Sequence, residues 1–214
     1  MARSAFLFVL IILLSTCKKE DLELSITGNV MDPNQLTTVA GASVVLSGQE
    51  LSGGTFNNNF NTLASTTTNG NGHFEFLFER KTIAQYRIRV TKEGYFENTI
   101  LITGDAVQPD AVFNVNIEAI PKAYYALSLE NTSPIDDDDR ISYRNTNADL
   151  DCSCCNNQTI TMLGTAVDTS YTCVHQGAKW LKYYYEVEKN SNTNSFIDSI
   201  FLMPFDTASN HVTY

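Results

Sequence analysis

The chain has 214 residues, with 24 acidic side chains against 14 basic ones and a formal net charge of −10. This acidity argues against a nucleic-acid-binding protein, because the neutralisation of phosphates requires basic patches. It also argues against docking on an anionic membrane surface through side chains. The sequence lacks the G-x-S-x-G, H-E-x-x-H and glycine-rich phosphate-binding motifs, so it shows no local signature of catalysis.

The first 17 residues have the layout of an export signal. Arg3 precedes an apolar run over residues 5–14, and Cys17 follows the run. Because a membrane-spanning helix needs about 20 apolar residues, a cleaved signal peptide is favoured over a membrane span. Residues 14–17 (LSTC) resemble the lipobox of bacterial lipoproteins, in which the cysteine is lipidated and becomes the N-terminus. We therefore predict a signal peptide over 1–16 and a lipidated tether over 17–23, with plain secretion as the alternative.

The residues after the cysteine carry a second signal. Lys19, Glu20 and Asp21 resemble the export signal of some Gram-negative surface lipoproteins, a lysine followed by two acidic residues near the anchored cysteine. The resemblance implies a lipid-anchored outer-membrane protein exposed at the cell surface. The alternative is a polar tether that simply stays solvated. Cleavage leaves 198 residues with a net charge of −11 (13 basic against 24 acidic), which is enough for two domains of about 100 residues each.

Residues 24–119 show the period-two alternation of short strands with one buried face. The apolar positions of two such runs are Phe74, Phe76 and Phe78, then Tyr86, Ile88 and Val90. Alternation of this kind indicates strands with one face exposed to solvent. Several of them at short spacing, broken by Gly and Asn, predict a β-sandwich.

Four motifs occur in order in this region: GNV at 28–30, GASVVL at 41–46, TNGNGHFEF at 68–76 and KEGY at 92–95. Together they resemble the carboxypeptidase regulatory-like domain, a transthyretin-like sandwich of seven strands. The resemblance implies a non-catalytic domain whose glycines and aromatic residues serve turns and the core. It implies no ligand site.

Residues 121–214 also show the alternating pattern of β-strands, in runs that include Tyr125 and Leu127 and, later, Leu181 and Tyr183. The last strands are predicted over 195–205 and 211–214. We predict a second sandwich, immunoglobulin-like in architecture and of unassigned family, with Pro121 as the hinge. The predicted fold class is therefore all-β, with two β-sandwich domains after a lipoprotein signal peptide. The halves share no sequence motif, and no internal repeat is predicted.

Four cysteines remain after Cys17. They are Cys152, Cys154, Cys155 and Cys173. An even number in an exported protein indicates disulfides. Adjacent cysteines rarely bond to each other, so we predict a link from Cys173 to either Cys154 or Cys155. The alternative is a metal site formed by these thiolates with His175, although C-x-C-C departs from the usual C-x-x-C spacing of zinc ligands.

Two further groups are candidate ligand sites. The first is an unbroken acidic run in a loop, interpreted either as a solvated loop or as calcium ligands: Asp136, Asp137, Asp138 and Asp139. The second is Trp180 with Tyr184, where Tyr184 falls on the face opposite its neighbours. Exposed aromatic rings stack on sugars or anchor protein partners, whereas the alternative is a buried row with Tyr184 lying on the surface.

These observations favour a non-enzymatic surface lipoprotein that binds or scaffolds a protein or glycan partner, with no cofactor and no nucleic acid. A second hypothesis is an accessory subunit of an outer-membrane uptake or processing complex. A third is a hydrolase with an unrecognised site in the second domain.

Overall fold

The computed structural model describes residues 23–52, 54–56, 58–147 and 157–214. Across these residues the chain forms sixteen β-strands and one short 3-10 helix, Gly104–Ala106. The predicted all-β sandwich fold is confirmed. In the described part of the chain, no helix has the length and apolarity needed to cross a bilayer.

The N-terminal half, residues 23–120, contains nine strands. They are β1 (Glu23–Asp32), β2 (Thr37–Thr38), β3 (Ser43–Ser52), β4 (Thr55–Phe56), β5 (Asn61–Thr67), β6 (His73–Glu79), β7 (Ile83–Thr91), β8 (Asn98–Thr103) and β9 (Val112–Glu118). In one sheet β1 lies between β6 and β9, with the short β2 also paired to β1. The other sheet has the order β5-β3-β7-β8, and β4 forms a hairpin with the end of β3.

The C-terminal half, residues 121–214, contains seven strands. They are β10 (Lys122–Glu130), β11 (Arg140–Asn145), β12 (Ile160–Leu163), β13 (Asp168–Gln176), β14 (Lys179–Lys189), β15 (Asn192–Leu202) and β16 (Thr207–Thr213). One sheet has the order β13-β10-β16 and the other the order β12-β11-β14-β15.

The two halves share one strand order. Without the two-residue strands β2 and β4, each half has seven strands, and its first strand lies between the fourth and the seventh. The other sheet has the order third, second, fifth, sixth in both halves. In both halves the first strand is antiparallel to the fourth and parallel to the seventh. The C-terminal half therefore repeats the topology of the N-terminal half, although no sequence motif is shared.

The buried apolar side chains form two clusters, one from each half. The first extends from Leu24 to Ala119 and the second from Ala123 to Val212. The predicted alternating runs supply much of both cores, since Phe74 is 2% exposed and Tyr125 is fully buried. Full burial of such a side chain contributes about 1.5–3 kcal/mol, so these runs account for a large part of the driving force for folding.

Backbone hydrogen bonds join the segment around Pro121 to both halves. Lys122 N donates to Gly94 O at 2.7 Å, and Phe205 N donates to Lys122 O at 2.7 Å. Gly177 N donates to Pro121 O at 2.8 Å. Pro121 itself is buried. The predicted hinge is therefore held by backbone hydrogen bonds from loops on either side of it.

The ends of the last two strands differ from the prediction over 195–205 and 211–214. Strand β15 ends at Leu202, and β16 already begins at Thr207. Pro204 lacks an N–H group for a ladder, and Phe205 has a φ of 66°, which is outside the β region. The chain turns at these two residues and crosses to the other sheet.

Gly28 provides a test of the parallel pairing between β1 and β9. It pairs with Val115 in the register, and a Cβ at Gly28 would lie 1.7 Å from Val115 O. We expect Gly28→Ala to lower the free energy of unfolding by about 3 kcal/mol, the upper end of overpacking penalties, because the atom in the way belongs to the backbone. Urea denaturation measures the change.

Gly70→Ala is the matched control, since a Cβ at Gly70 meets no atom within 4 Å. We expect its denaturation midpoint to stay close to that of the wild type. Equal midpoints for the two variants would contradict the close approach of β1 and β9.

Candidate functional site

Strand β14 presents aromatic side chains to solvent on the outward face of its sheet. Leu181 and Tyr183 point into the core, so the alternating positions point outward. Trp180 is 55% exposed and contacts Phe201 of β15 edge to face, with ring centroids 5.4 Å apart. Tyr184 is half-buried, and the Arg144 guanidinium lies 5.3 Å from its ring centroid. The predicted opposite orientation of Tyr184 and Tyr183 is confirmed.

Strand β15 is an edge strand with a long exposed segment. It pairs with β14 on one side, and no strand of the described residues pairs with its other side. All of residues 192–198 are exposed, including Phe196 at 44% and Ile197 at 81%. Its counterpart in the N-terminal half, β8, has six residues against eleven in β15. The extra length extends a two-stranded wing, β14–β15, beyond the core.

A cleft of about 580 Å³ lies between the edges of β15 and β16. Its lining residues are Tyr183, Tyr185, Ser195, Phe196, Ile197, Asp198, Asn210, His211, Val212 and Thr213. The rings of Tyr185 and Phe196 are stacked, with centroids 4.7 Å apart and planes inclined by 15°. The cleft therefore combines one flat aromatic surface with hydroxyl, amide and carboxylate groups.

A buried network of tyrosine hydroxyls supports the inner end of this cleft. Asn210 Nδ2 donates to Tyr125 Oη at 2.8 Å, and that hydroxyl shares a 2.7 Å hydrogen bond with Tyr143 Oη. Tyr143 Oη donates to Asn145 Oδ1 at 3.2 Å. The Tyr143 ring stacks on Tyr183 at 5.7 Å. The side chain of Asn210 is thus oriented by residues of the core.

Burial keeps these tyrosines protonated. It raises the pKa of Tyr143 well above its usual value, and a hydrogen bond and charge interaction with Tyr125 add to the effect. Burial, together with the negative charge of Asp198, raises the pKa of Tyr183 to about 12. Both hydroxyls are therefore neutral hydrogen-bonding groups at neutral pH, and they are poor candidates for a general base.

The acidic run does not converge on one point. The side chains of Asp136, Asp137 and Asp138 are exposed, whereas that of Asp139 is fully buried. Asp139 Oδ2 accepts hydrogen bonds from Asn131 Nδ2 and from Ile135 N, both at 2.9 Å. In the described residues no group of three or more His, Cys, Asp or Glu side chains is arranged to hold a metal ion. The structure therefore places Asp139 as the residue that organises its own loop.

Several predicted site residues lie outside the described residues. These are Cys17, Lys19, Glu20, Asp21, Cys152, Cys154 and Cys155. Cys173 lies in β13 and is 3% exposed. His175, two residues further along the same strand, is fully buried. The predicted pairing of Cys173 with Cys154 or Cys155 stays a prediction.

Sequence reasoning missed the residues of the cleft, among them Phe196, Asp198 and Asn210. One local signal exists, because the consecutive apolar residues Phe196 and Ile197 must lie on opposite faces of a strand. The open edge of β16 opposite these two residues results from strand pairing over long sequence separations. The alternation of apolar and polar residues does not reveal such pairing.

No protein-family model matches the chain, and no curated protein matches it either. Among solved structures, it is similar to the Bacillus anthracis TIE protein, at 10% identity over 90% of this chain and 34% of that one, with a TM-score of 0.37. It is also similar to shaft pilin SpaA from Lactobacillus rhamnosus GG, at 9% identity over 90% of this chain and 97% of that one, with a TM-score of 0.34.

A third likeness covers only part of the chain. Catechol 1,2-dioxygenase from Acinetobacter radioresistens matches 48% of this chain and 53% of its own, at 16% identity and a TM-score of 0.33. With TM-scores below 0.5, none of these likenesses establishes a common fold or a function for this chain.

Asp139 predicts a specific pH dependence of stability. Burial acts to raise its pKa, but the hydrogen bonds from Asn131 and Ile135 and the nearby Lys189 ammonium outweigh it and hold the pKa below its usual value. A depressed folded pKa stabilises the protein above the unfolded value of about 3.9, and this contribution disappears as the pH falls through the folded pKa. We expect Asp139→Asn to be less stable than the wild type at pH 7, with a smaller difference at acidic pH.

Thermal unfolding between pH 2 and pH 7 measures this effect. Asp137→Asn is the matched control, because Asp137 is exposed in the same loop. Identical pH profiles for Asp139→Asn and the wild type would contradict the role of Asp139.

Proposed function

We propose that this protein is a non-enzymatic, lipid-anchored surface module that binds a partner through the β14–β15 wing. One observation carries the proposal: exposed aromatic side chains are concentrated in this region. In the described part of the chain, four of the five aromatic residues that are strongly exposed fall between 180 and 205: Trp180, Phe196, Phe201 and Phe205. Exposed clusters of large apolar side chains mark interaction sites on soluble proteins, and aromatic residues are enriched at binding hot spots.

For the anchor, we propose lipidation at Cys17, an export signal at Lys19, Glu20 and Asp21, and display on the outer membrane at the cell surface. The support is the order of features in the sequence, in which a basic residue, a short apolar run, a cysteine and charged residues follow one another. With the lipid holding the N-terminus, the acidic chain needs no basic surface of its own to stay at the membrane.

For the N-terminal half, we propose a carboxypeptidase regulatory-like domain. Its seven principal strands support this assignment, as do the positions of the motif residues. The hydroxyl of Thr68 donates to Val39 O and accepts from Ala42 N, and Gly72 and Gly94 have φ values of +70° and +80°. The motif residues thus hold turns, as the resemblance implies. We propose the C-terminal half as a second domain, in which Cys173 bonds to Cys154 or Cys155.

A second candidate function is an accessory subunit of an outer-membrane uptake or processing complex. The hydrogen bonds around Pro121 favour it, because they join the two halves without a loose linker. In such a complex the N-terminal half would serve as a spacer that holds the wing away from the membrane.

Site-specific photo-crosslinking in intact cells tests the proposed function. We expect a photoreactive amino acid at position 180 to crosslink to a discrete envelope partner. The same residue at position 101 is the control, because Leu101 is 54% exposed on β8, the counterpart of β15 in the other half. The lipid anchor predicts that Cys17→Ser releases the protein from the membrane and removes the crosslink. Equal crosslinking from positions 180 and 101, or none from position 180, would contradict a binding role for the wing.

A further inference from the structure

The chemistry of the cleft between β15 and β16 narrows the class of its ligand. No described lining residue is Lys or Arg. The one basic side chain, His211, has its Nε2 3.2 Å from Glu130 Oε2, so this nitrogen already has a carboxylate partner. A phosphate, sulfate or carboxylate would find no free cation here and would lie near Asp198. Anionic ligands are therefore excluded on electrostatic grounds.

A purely apolar ligand is also disfavoured. It would cover the Asp198 carboxylate and the Asn210 side chain without offering them hydrogen bonds. Burying polar groups without partners costs several kcal/mol in total, and more for a charged group. The ligand must therefore carry hydroxyl or amide groups of its own.

The arrangement of the aromatic rings favours a neutral ligand over a cationic one. Aromatic sites for quaternary ammonium groups surround the charge with several ring faces. Here Tyr185 and Phe196 lie nearly parallel at 4.7 Å, so they cover each other and leave one flat surface. Phe196 is 44% exposed. A flat apolar surface of this size matches the C–H face of a sugar ring.

We propose that this cleft binds a sugar ring of a neutral glycan, stacked on Phe196 and hydrogen-bonded through its hydroxyl groups to Asp198 and Asn210. This proposal rests on the proposed function, and it names the ligand class for the inner side of the wing. The cleft has a volume of about 580 Å³, which lies within the range of small-molecule sites and is large enough for one or two sugar rings.

The protein groups are suited to hydroxyl recognition. Asp198 Oδ1 accepts a hydrogen bond from Ser199 N at 2.7 Å, and the carboxylate has lone pairs left for two adjacent hydroxyls of a sugar. Tyr183 remains a donor, since burial and Asp198 raise its pKa to about 12. Asn210 is held by its hydrogen bond to Tyr125. This pre-organisation reduces the entropy lost on binding.

Isothermal titration calorimetry with the soluble chain that lacks residues 1–17 tests the proposal. The probes are neutral hexasaccharides of glucose, galactose, mannose and N-acetylglucosamine, a sulfated heparin hexasaccharide, and choline. We expect at least one neutral hexasaccharide to bind with a Kd of about 1 mM or tighter. Phe196→Ala and Asp198→Asn should each weaken that binding about tenfold. Both residues are exposed, so both variants should keep the wild-type thermal unfolding midpoint.

Leu101→Ala is the matched control, because Leu101 is 54% exposed on β8, outside the wing, and does not line the cleft. We expect it to leave sugar binding unchanged. Binding of heparin or choline in place of neutral sugars would overturn the ligand class. Sugar binding that is lost in Trp180→Ala but kept in Phe196→Ala would overturn the cleft and support the outward face. If no probe binds while position 180 still crosslinks in cells, the sugar proposal fails and the proposed function stands.

Discussion

Each half of the chain is completed by a parallel pairing of its first and last strands, β1 with β9 and β10 with β16. Consecutive strands usually pair with each other, and a turn of four residues separates β15 from β16. The last strand nevertheless crosses to the other sheet and lies beside β10. As a consequence, the edges of β15 and β16 face each other without pairing, and the cleft opens between them. The candidate site therefore depends on this crossing, which Pro204 and Phe205 make at the turn.

The same pairing explains how the two halves are connected. Because the last strand of the first half, β9, leads directly into the first strand of the second half, β10, the segment around Pro121 connects an edge strand of one half to the central strand of the other. Loops from both halves bond to it, including Gly94, Gly177 and Phe205. Gly94 belongs to the KEGY motif, and a Cβ there would lie 2.9 Å from the Phe205 ring. Gly94 therefore forms a turn in the first half and also allows the loop after β15 to pack closely against it. The segment around Pro121 and the end of the wing are thus in contact through this loop.

The alternating runs predicted the strands and most of both cores, because a strand with one buried face shows its burial pattern locally. Phe74, Tyr86 and Tyr125 occupy the apolar positions of such runs, and Tyr184 falls on the face opposite its neighbours. The shared strand order of the halves and the cleft were not predictable, since both depend on which strands pair over long separations. Asp139 shows a different limit. The four consecutive aspartates look alike in the sequence, yet only Asp139 is buried, where it accepts hydrogen bonds from Asn131 and Ile135.

In the described part of the chain, the outer edge of β15 is unpaired and faces an open cleft. Residue-resolved amide hydrogen exchange of the free protein tests it most directly. Alternate amides of a strand point to opposite sides, so within residues 192–198 those that point towards β14 should be protected and those that point away should exchange rapidly. Strand β14 pairs on both sides and should be protected along most of its length. Uniform protection of residues 192–198 would show that this edge is paired and the cleft closed, and it would contradict the account.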